Sequence, residues 1–116
     1  MPAQPRGVTV TWTAICRLDH LLPERGAAAL LGDTQVAVFR LHDDQLYAIG
    51  NGDPLSGAQV LSRGIVGTRG EVPVVLSPMH KQAFDLRTGA CLDVPGVGVP
   101  VYPARCRDGL IEVAVP

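Results

Sequence analysis

An all-β fold is what this sequence predicts, on three observations. Thirteen glycines and ten prolines punctuate the 116 residues, which leaves little room for long helices. Residues 8–12 alternate apolar and polar side chains, the two-residue period of a half-buried strand, and short apolar stretches such as 27–31 and 74–76 lie between turn signals. Apolar residues make up 47% of the chain, enough to build a core. Together they imply an antiparallel sandwich or barrel of about eight to ten short strands, with at most short helical turns. The length suits one domain, with residues 1–6 as a loose tail and 7–116 as the folded unit.

Along the chain, residues 8–12 alternate and place Val8, Val10 and Trp12 on one strand face. Residues 18–22 suit one helical turn, closed by Pro23, that packing must hold. Residues 27–31, the turn pair Gly32 and Asp33, the strand 35–40, the turn at Asp43 and Asp44, and the strand 45–49 form a three-stranded meander. Residues 74–76 read as a short buried strand. A hairpin joins 83–86 to 90–92 across Arg87 to Gly89, and a last one joins 101–105 to 110–115 across Arg107 to Gly109. The stretches 50–70 and 93–103 do not read as strands, and long irregular segments in a small domain are usually functional or mobile. Within the first, residues 57–61 suit a short helix capped by Ser56.

Composition excludes several functions. Ten Lys and Arg against eleven Asp and Glu give a net charge of −1, so no basic stripe is present to bind nucleic acid. No basic cluster suits an anionic membrane, and no apolar run approaches the roughly 18 residues of a spanning helix. The first residues lack the apolar stretch of a secretory signal, so the expected compartment is the cytoplasm. Three cysteines, Cys16, Cys91 and Cys106, are an odd number without a C-x-x-C pair, and read as free thiols.

Two segments carry the functional signal. Residues 46–55 run Leu-Tyr-Ala-Ile-Gly-Asn-Gly-Asp-Pro-Leu. Residues 76–89 run Leu-Ser-Pro-Met-His-Lys-Gln-Ala-Phe-Asp-Leu-Arg-Thr-Gly. Together they resemble the Rieske iron–sulfur domain, in which each of two loops supplies one cysteine and one histidine to a [2Fe–2S] cluster. That resemblance implies a Rieske-like antiparallel β-sandwich or barrel. It also puts Asp53 and Leu55 at the first cysteine and histidine positions and Ser77 at the second cysteine, with only His80 retained. A carboxylate, an aliphatic chain and a hydroxyl do not replace two thiolates and an imidazole, so no cluster and no metal is expected.

This combination resembles the small subunits of cytoplasmic NAD(P)H-dependent assimilatory nitrite reductases, Rieske-like domains without cluster ligands. The resemblance runs from Trp12 through residues 35–40 and 46–51 to Cys91 and Asp93. Its most specific stretch is residues 60–67, Val-Leu-Ser-Arg-Gly-Ile-Val-Gly. His80 departs from the aromatic residue that the family often has there. The resemblance implies a supporting subunit with no catalytic residue of its own. FAD, an iron–sulfur cluster and sirohaem would sit on a partner large subunit that reduces nitrite to ammonium. Leu55, Arg63, Met79, His80 and Lys81 are the expected partner-facing residues, because an exposed Leu and Met on proline-stiffened loops make an interaction patch.

Other readings stand beside this one. A Rieske ferredoxin would need the missing ligands. A free-standing Rieske-like interaction module would need only another partner. His80 alone is a poor metal site. Ser77, His80 and Asp53 are the residue types of a hydrolytic triad, but no strand–helix elbow surrounds Ser77. His20 and His42 are expected to face solvent. Asp53 is expected to hold its own loop, accepting hydrogen bonds from backbone N–H groups of its turn, from Ser77 or from His80.

Overall fold

A computed structural model describes residues 11–115. Ten strands form three antiparallel sheets. In chain order the strands are β1 (Thr11–Arg17), β2 (Arg25–Leu31), β3 (Thr34–Arg40), β4 (Leu46–Gly50), β5 (Ile65–Arg69), β6 (Val72–Leu76), β7 (Ala83–Asp85), β8 (Val101–Tyr102), β9 (Ala104–Arg107) and β10 (Leu110–Val115). The sheets run β1-β10-β9, β2-β3-β4-β8 and β5-β6-β7. The all-β expectation and its meander hold. The expected strand face of Val8 and Val10, and the tail 1–6, lie outside the described residues.

β3 explains the layering. Val36, Ala37, Val38 and Phe39 are all fully buried, an unbroken apolar run where a one-sided strand would alternate. Ala37 and Phe39 pack with Ile49, Leu61, Val75, Phe84 and Leu86 in one core. Val36 and Val38 point the other way, to Leu21, Ala48, Ile111 and Val113. The β2-β3-β4-β8 sheet is therefore covered on both faces. Each buried Val, Leu, Ile or Phe among these stabilises the fold by about 1.5–3 kcal/mol relative to exposure.

Four local features differ from the sequence expectation. The helical turn near residue 18 is a 3₁₀ turn, Leu18–His20, whose Leu18 and nearby Leu21 carbonyls accept bonds from the Arg40 guanidinium at 3.1 and 2.8 Å. The expected helix at 57–61 is absent. Ser56 Oγ instead accepts from the Ala58 N–H at 3.3 Å, a local turn that competes with helix, and the 3₁₀ turn comes later, at Leu61–Arg63. The stretch 50–70 contains a strand after all, β5, paired with β6 from Ile65↔Leu76 to Arg69↔Val72. The expected strand 101–105 is divided between two sheets at Pro103. β8 pairs with β4 and β9 with β10, while the Pro103 carbonyl accepts from the Ala114 N–H at 3.0 Å. Proline has no N–H for a ladder, which suits a sheet-switching corner.

Candidate functional site

The loop of residues 51–60 follows β4, and the loop of residues 77–82 follows β6. Asn51 organises the first. Its side-chain oxygen accepts from the Ser62 N–H at 2.8 Å, and its Nδ2 donates to the Gln59 carbonyl at 3.1 Å. Its backbone N–H reaches back to the Gln35 carbonyl on β3 at 3.0 Å. Asn51 is only 2% exposed, so these bonds replace the water it has lost. Beyond it the chain turns tightly. The Asp53 carbonyl accepts from the Gly57 N–H at 2.7 Å, with Gly57 at φ +79°.

Asp53 and Ser77 join the two loops. Ser77 Oγ donates to Asp53 Oδ2 at 2.5 Å, with Asp53 and Ser77 each 1% exposed. The other carboxylate oxygen accepts from the Leu55 N–H at 2.8 Å. Ser77 Oγ in turn accepts from the Met79 N–H at 3.2 Å. Burial pushes the Asp53 carboxyl up, but the hydrogen bonds from Ser77, Leu55 and Ser56 outweigh it and hold the group below the usual carboxylate range. The loop of residues 77–82 closes on itself as well, with the Ser77 N–H donating to the Gln82 carbonyl and the Lys81 N–H to the Ser77 carbonyl, both at 2.9 Å.

A neighbouring contact went unread in the sequence. The Asp93 carboxylate accepts from the Ala83 N–H at 2.8 Å and pairs with Arg69 at 2.7 Å, tying the segment after Cys91 to the base of the loop 77–82. The Arg69 guanidinium beside Asp93 holds its carboxyl below the ordinary range. Nothing in the spacing of 24 residues between them announces the pair.

The surface of the two loops mixes apolar and uncharged polar side chains with one exposed lysine. Pro54, Leu55, Pro78, Met79, His80 and Lys81 are exposed, Leu55 by 37% and Met79 by 46%. Arg63 belongs to a different feature, an open groove that it lines with Glu24, Arg25, Gly26 and Ile65. His20 and His42 face solvent, as expected. Cys16 is half-buried, Cys91 buried and Cys106 exposed, and all three are free.

The geometry narrows the chemistry. Ser77 has one proton and gives it to Asp53, so no Ser-to-His relay forms and the triad arrangement is not built. Among the described residues no group of three or more His, Cys, Asp or Glu side chains could hold a metal ion. The donor set does not fit a [2Fe–2S] centre. The two loops carry no thiol, and the hydroxyl and carboxylate nearest to thiol-like positions are bound to one another.

Comparison with known proteins gives the class first. The family of the Rieske-like [2Fe-2S] domain matches residues 11–114. The nitrite reductase (NADH) small subunit of Escherichia coli K12 is 45% identical over 103 residues, which are 88% of this chain and 95% of that one. A structure described as an NADH-dependent nitrite reductase small subunit from Mycobacterium tuberculosis is 55% identical, with a TM-score of 0.90, covering 94% of this chain and 98% of its own. Two further relatives are more distant in kind. The nitrite reductase [NAD(P)H] large subunit of Klebsiella oxytoca is 40% identical over 97% of this chain but only 11% of its own length. The anthranilate 1,2-dioxygenase ferredoxin subunit of Burkholderia cepacia is 37% identical over 90% of this chain and 92% of its own. The chain belongs to the Rieske-like family and, within it, to the small subunits of NAD(P)H nitrite reductases.

Proposed function

We propose that this chain is the cofactor-free small subunit of a cytoplasmic NAD(P)H-dependent nitrite reductase and works by binding the large subunit. The near end-to-end match to small subunits carries the reading. The Klebsiella oxytoca relative supports it, because there a segment like this whole chain lies within a large-subunit polypeptide. FAD, an iron–sulfur cluster and sirohaem reside on the large subunit, which passes six electrons from the nicotinamide to nitrite and releases ammonium.

In this reading Asp53, Leu55 and Ser77 stand at three former ligand positions, and His80 keeps the fourth. The Asp53–Ser77 hydrogen bond takes over the clamping role of a cluster. The clamped end, with Leu55, Met79, His80 and Lys81, and with Arg63 in the adjoining groove, faces the large subunit. The likeness to a ferredoxin subunit favours an electron carrier as the second reading, but that role needs thiolates that the loops lack. A test uses the large subunit purified alone. Adding this chain should restore NAD(P)H-driven nitrite reduction, whereas a Leu55→Asp/Met79→Asp variant should fold but fail to assemble. Full assembly of that variant would exclude these loops as the docking surface.

A further inference from the structure

Four non-glycine residues among those described adopt a left-handed backbone: Glu24, Asp44, Lys81 and Asp108. Two have local reasons. Aspartate tolerates this region better than most residues. Asp44 also binds Arg40 at 2.8 Å, and Asp108 precedes Gly109 in the β9–β10 turn. Glu24, at φ +63°, and Lys81, at φ +62°, have neither, and of the two only Lys81 lies on the paired loops. A lysine there crowds its Cβ against the backbone, and glycine would fit without that strain. The loop needs the backbone shape, since the Lys81 N–H closes it onto the Ser77 carbonyl at 2.9 Å. It does not need the side chain. The Lys81 ammonium takes part in none of the ion pairs among the described residues.

The charge around it is one-sided. On residues 51–60 and 77–82, the only permanently charged side chains are Asp53 and Lys81. Asp53 is 1% exposed and bound to Ser77. Asp93, which accepts from the Ala83 N–H two residues past Lys81, is paired with Arg69. Lys81 is thus the single exposed permanent charge on these loops, beside the exposed Leu55 and Met79. Strain retained without a return inside the chain points to a return outside it.

We infer that Lys81 is the charged contact of the docking end, and that the partner meets it with a carboxylate at the rim of an apolar socket for Leu55 and Met79. This rests on the proposed docking of the same loops against the large subunit. A lysine at a rim acts mainly by steering association, so its contribution falls with salt.

The test measures binding to the purified large subunit at low and high salt. Lys81→Gly keeps the loop shape and removes the charge. It should melt no lower than wild type, yet bind about two- to fivefold more weakly at low salt and with a shallower salt dependence. Lys81→Glu should bind more weakly still. Wild-type affinity in Lys81→Gly, an unchanged salt dependence, or a clear loss of thermal stability would each overturn the inference. The Leu55→Asp/Met79→Asp variant separates the two levels. If it binds like wild type, the docking reading itself fails. If it fails to bind while Lys81→Gly binds normally, only the role of Lys81 fails.

Discussion

The Ser77 hydroxyl donates a 2.5 Å hydrogen bond to the Asp53 carboxylate, linking residues 24 positions apart at the base of two loops. Each partner is otherwise satisfied, Asp53 by the Leu55 N–H and Ser77 by the Met79 N–H. The pair therefore sets where Leu55 and Met79 emerge. A buried carboxylate is costly unless fully hydrogen-bonded, which makes the arrangement sensitive to the loss of either side chain.

Ser77→Ala leaves a carboxylate oxygen buried without its donor, and should cost about 1–3 kcal/mol. Asp53→Ala removes the charge as well and should cost on the order of 1 kcal/mol. Because the residues act through one bond, the double variant should cost less than the sum of the two. Urea denaturation of all three variants measures this. Simple additivity would mean that the bond contributes nothing of its own.

Acid should weaken the fold through Asp53. Its folded-state pKa is depressed, so its contribution is fully present above the unfolded-state value of about 3.9 and is lost as pH falls from there through the folded-state value. Asp85 acts in the same direction. Burial pushes its carboxyl up, but the Arg87 side chain and N–H outweigh this. Asp53→Asn should therefore flatten the acid limb of a stability–pH curve without abolishing it. An acid limb identical to wild type would exclude Asp53 from the linkage.

The glycines of residues 60–67 should respond oppositely to alanine. A Cβ at Gly64 would strike the Leu76 carbonyl oxygen and would lie 2.6 Å from a Val75 methyl, so Gly64→Ala should cost about 1–3 kcal/mol. A Cβ at Gly67 meets nothing within 4 Å, and Gly67→Ala should change stability by no more than about 0.5 kcal/mol. Thermal melts of both decide the matter. Equal effects would show that Gly64 does not approach β6 as described.

Asn51→Ala removes two side-chain bonds at once, to Gln59 and Ser62, and leaves the part-buried Ser62 N–H and Gln59 carbonyl without those partners. A loss of about 2–3 kcal/mol is expected. Amide exchange should rise at Ser62 and across residues 51–60 before it rises in β3. Uniform exchange throughout the chain would contradict the local role of Asn51.

Most of the sheets were legible because short apolar runs lie between clear turn residues. β2, β3 and β4 follow from residues 27–49 and their turn pairs. β5 was not legible, because Gly67 interrupts its pattern within a glycine-rich stretch. The close approach of Gly64, just before β5, to Val75 and Leu76 of β6 is a long-range fact. The split at Pro103 was hidden for a similar reason, since a continuous run does not reveal that its halves pair with different sheets. At the site, Asp53 and Ser77 were readable as candidates from the loop motifs. That Ser77 rather than His80 would be the donor depends on which side chain the folded loops turn inward. Arg69 with Asp93, and Arg63 beside Arg25, depend on tertiary contacts that no local pattern encodes.

A hydrogen bond between Asp53 and Ser77 joins the two loops, and the proposed function leaves no cluster there to do so. Iron, acid-labile sulfide and the visible spectrum of the purified chain put this to the sharpest test. The protein should be folded and colourless, with no stoichiometric iron or sulfide. A brown protein holding about two irons and two sulfides per chain, as a [2Fe–2S] centre requires, would contradict this and make the chain an electron carrier.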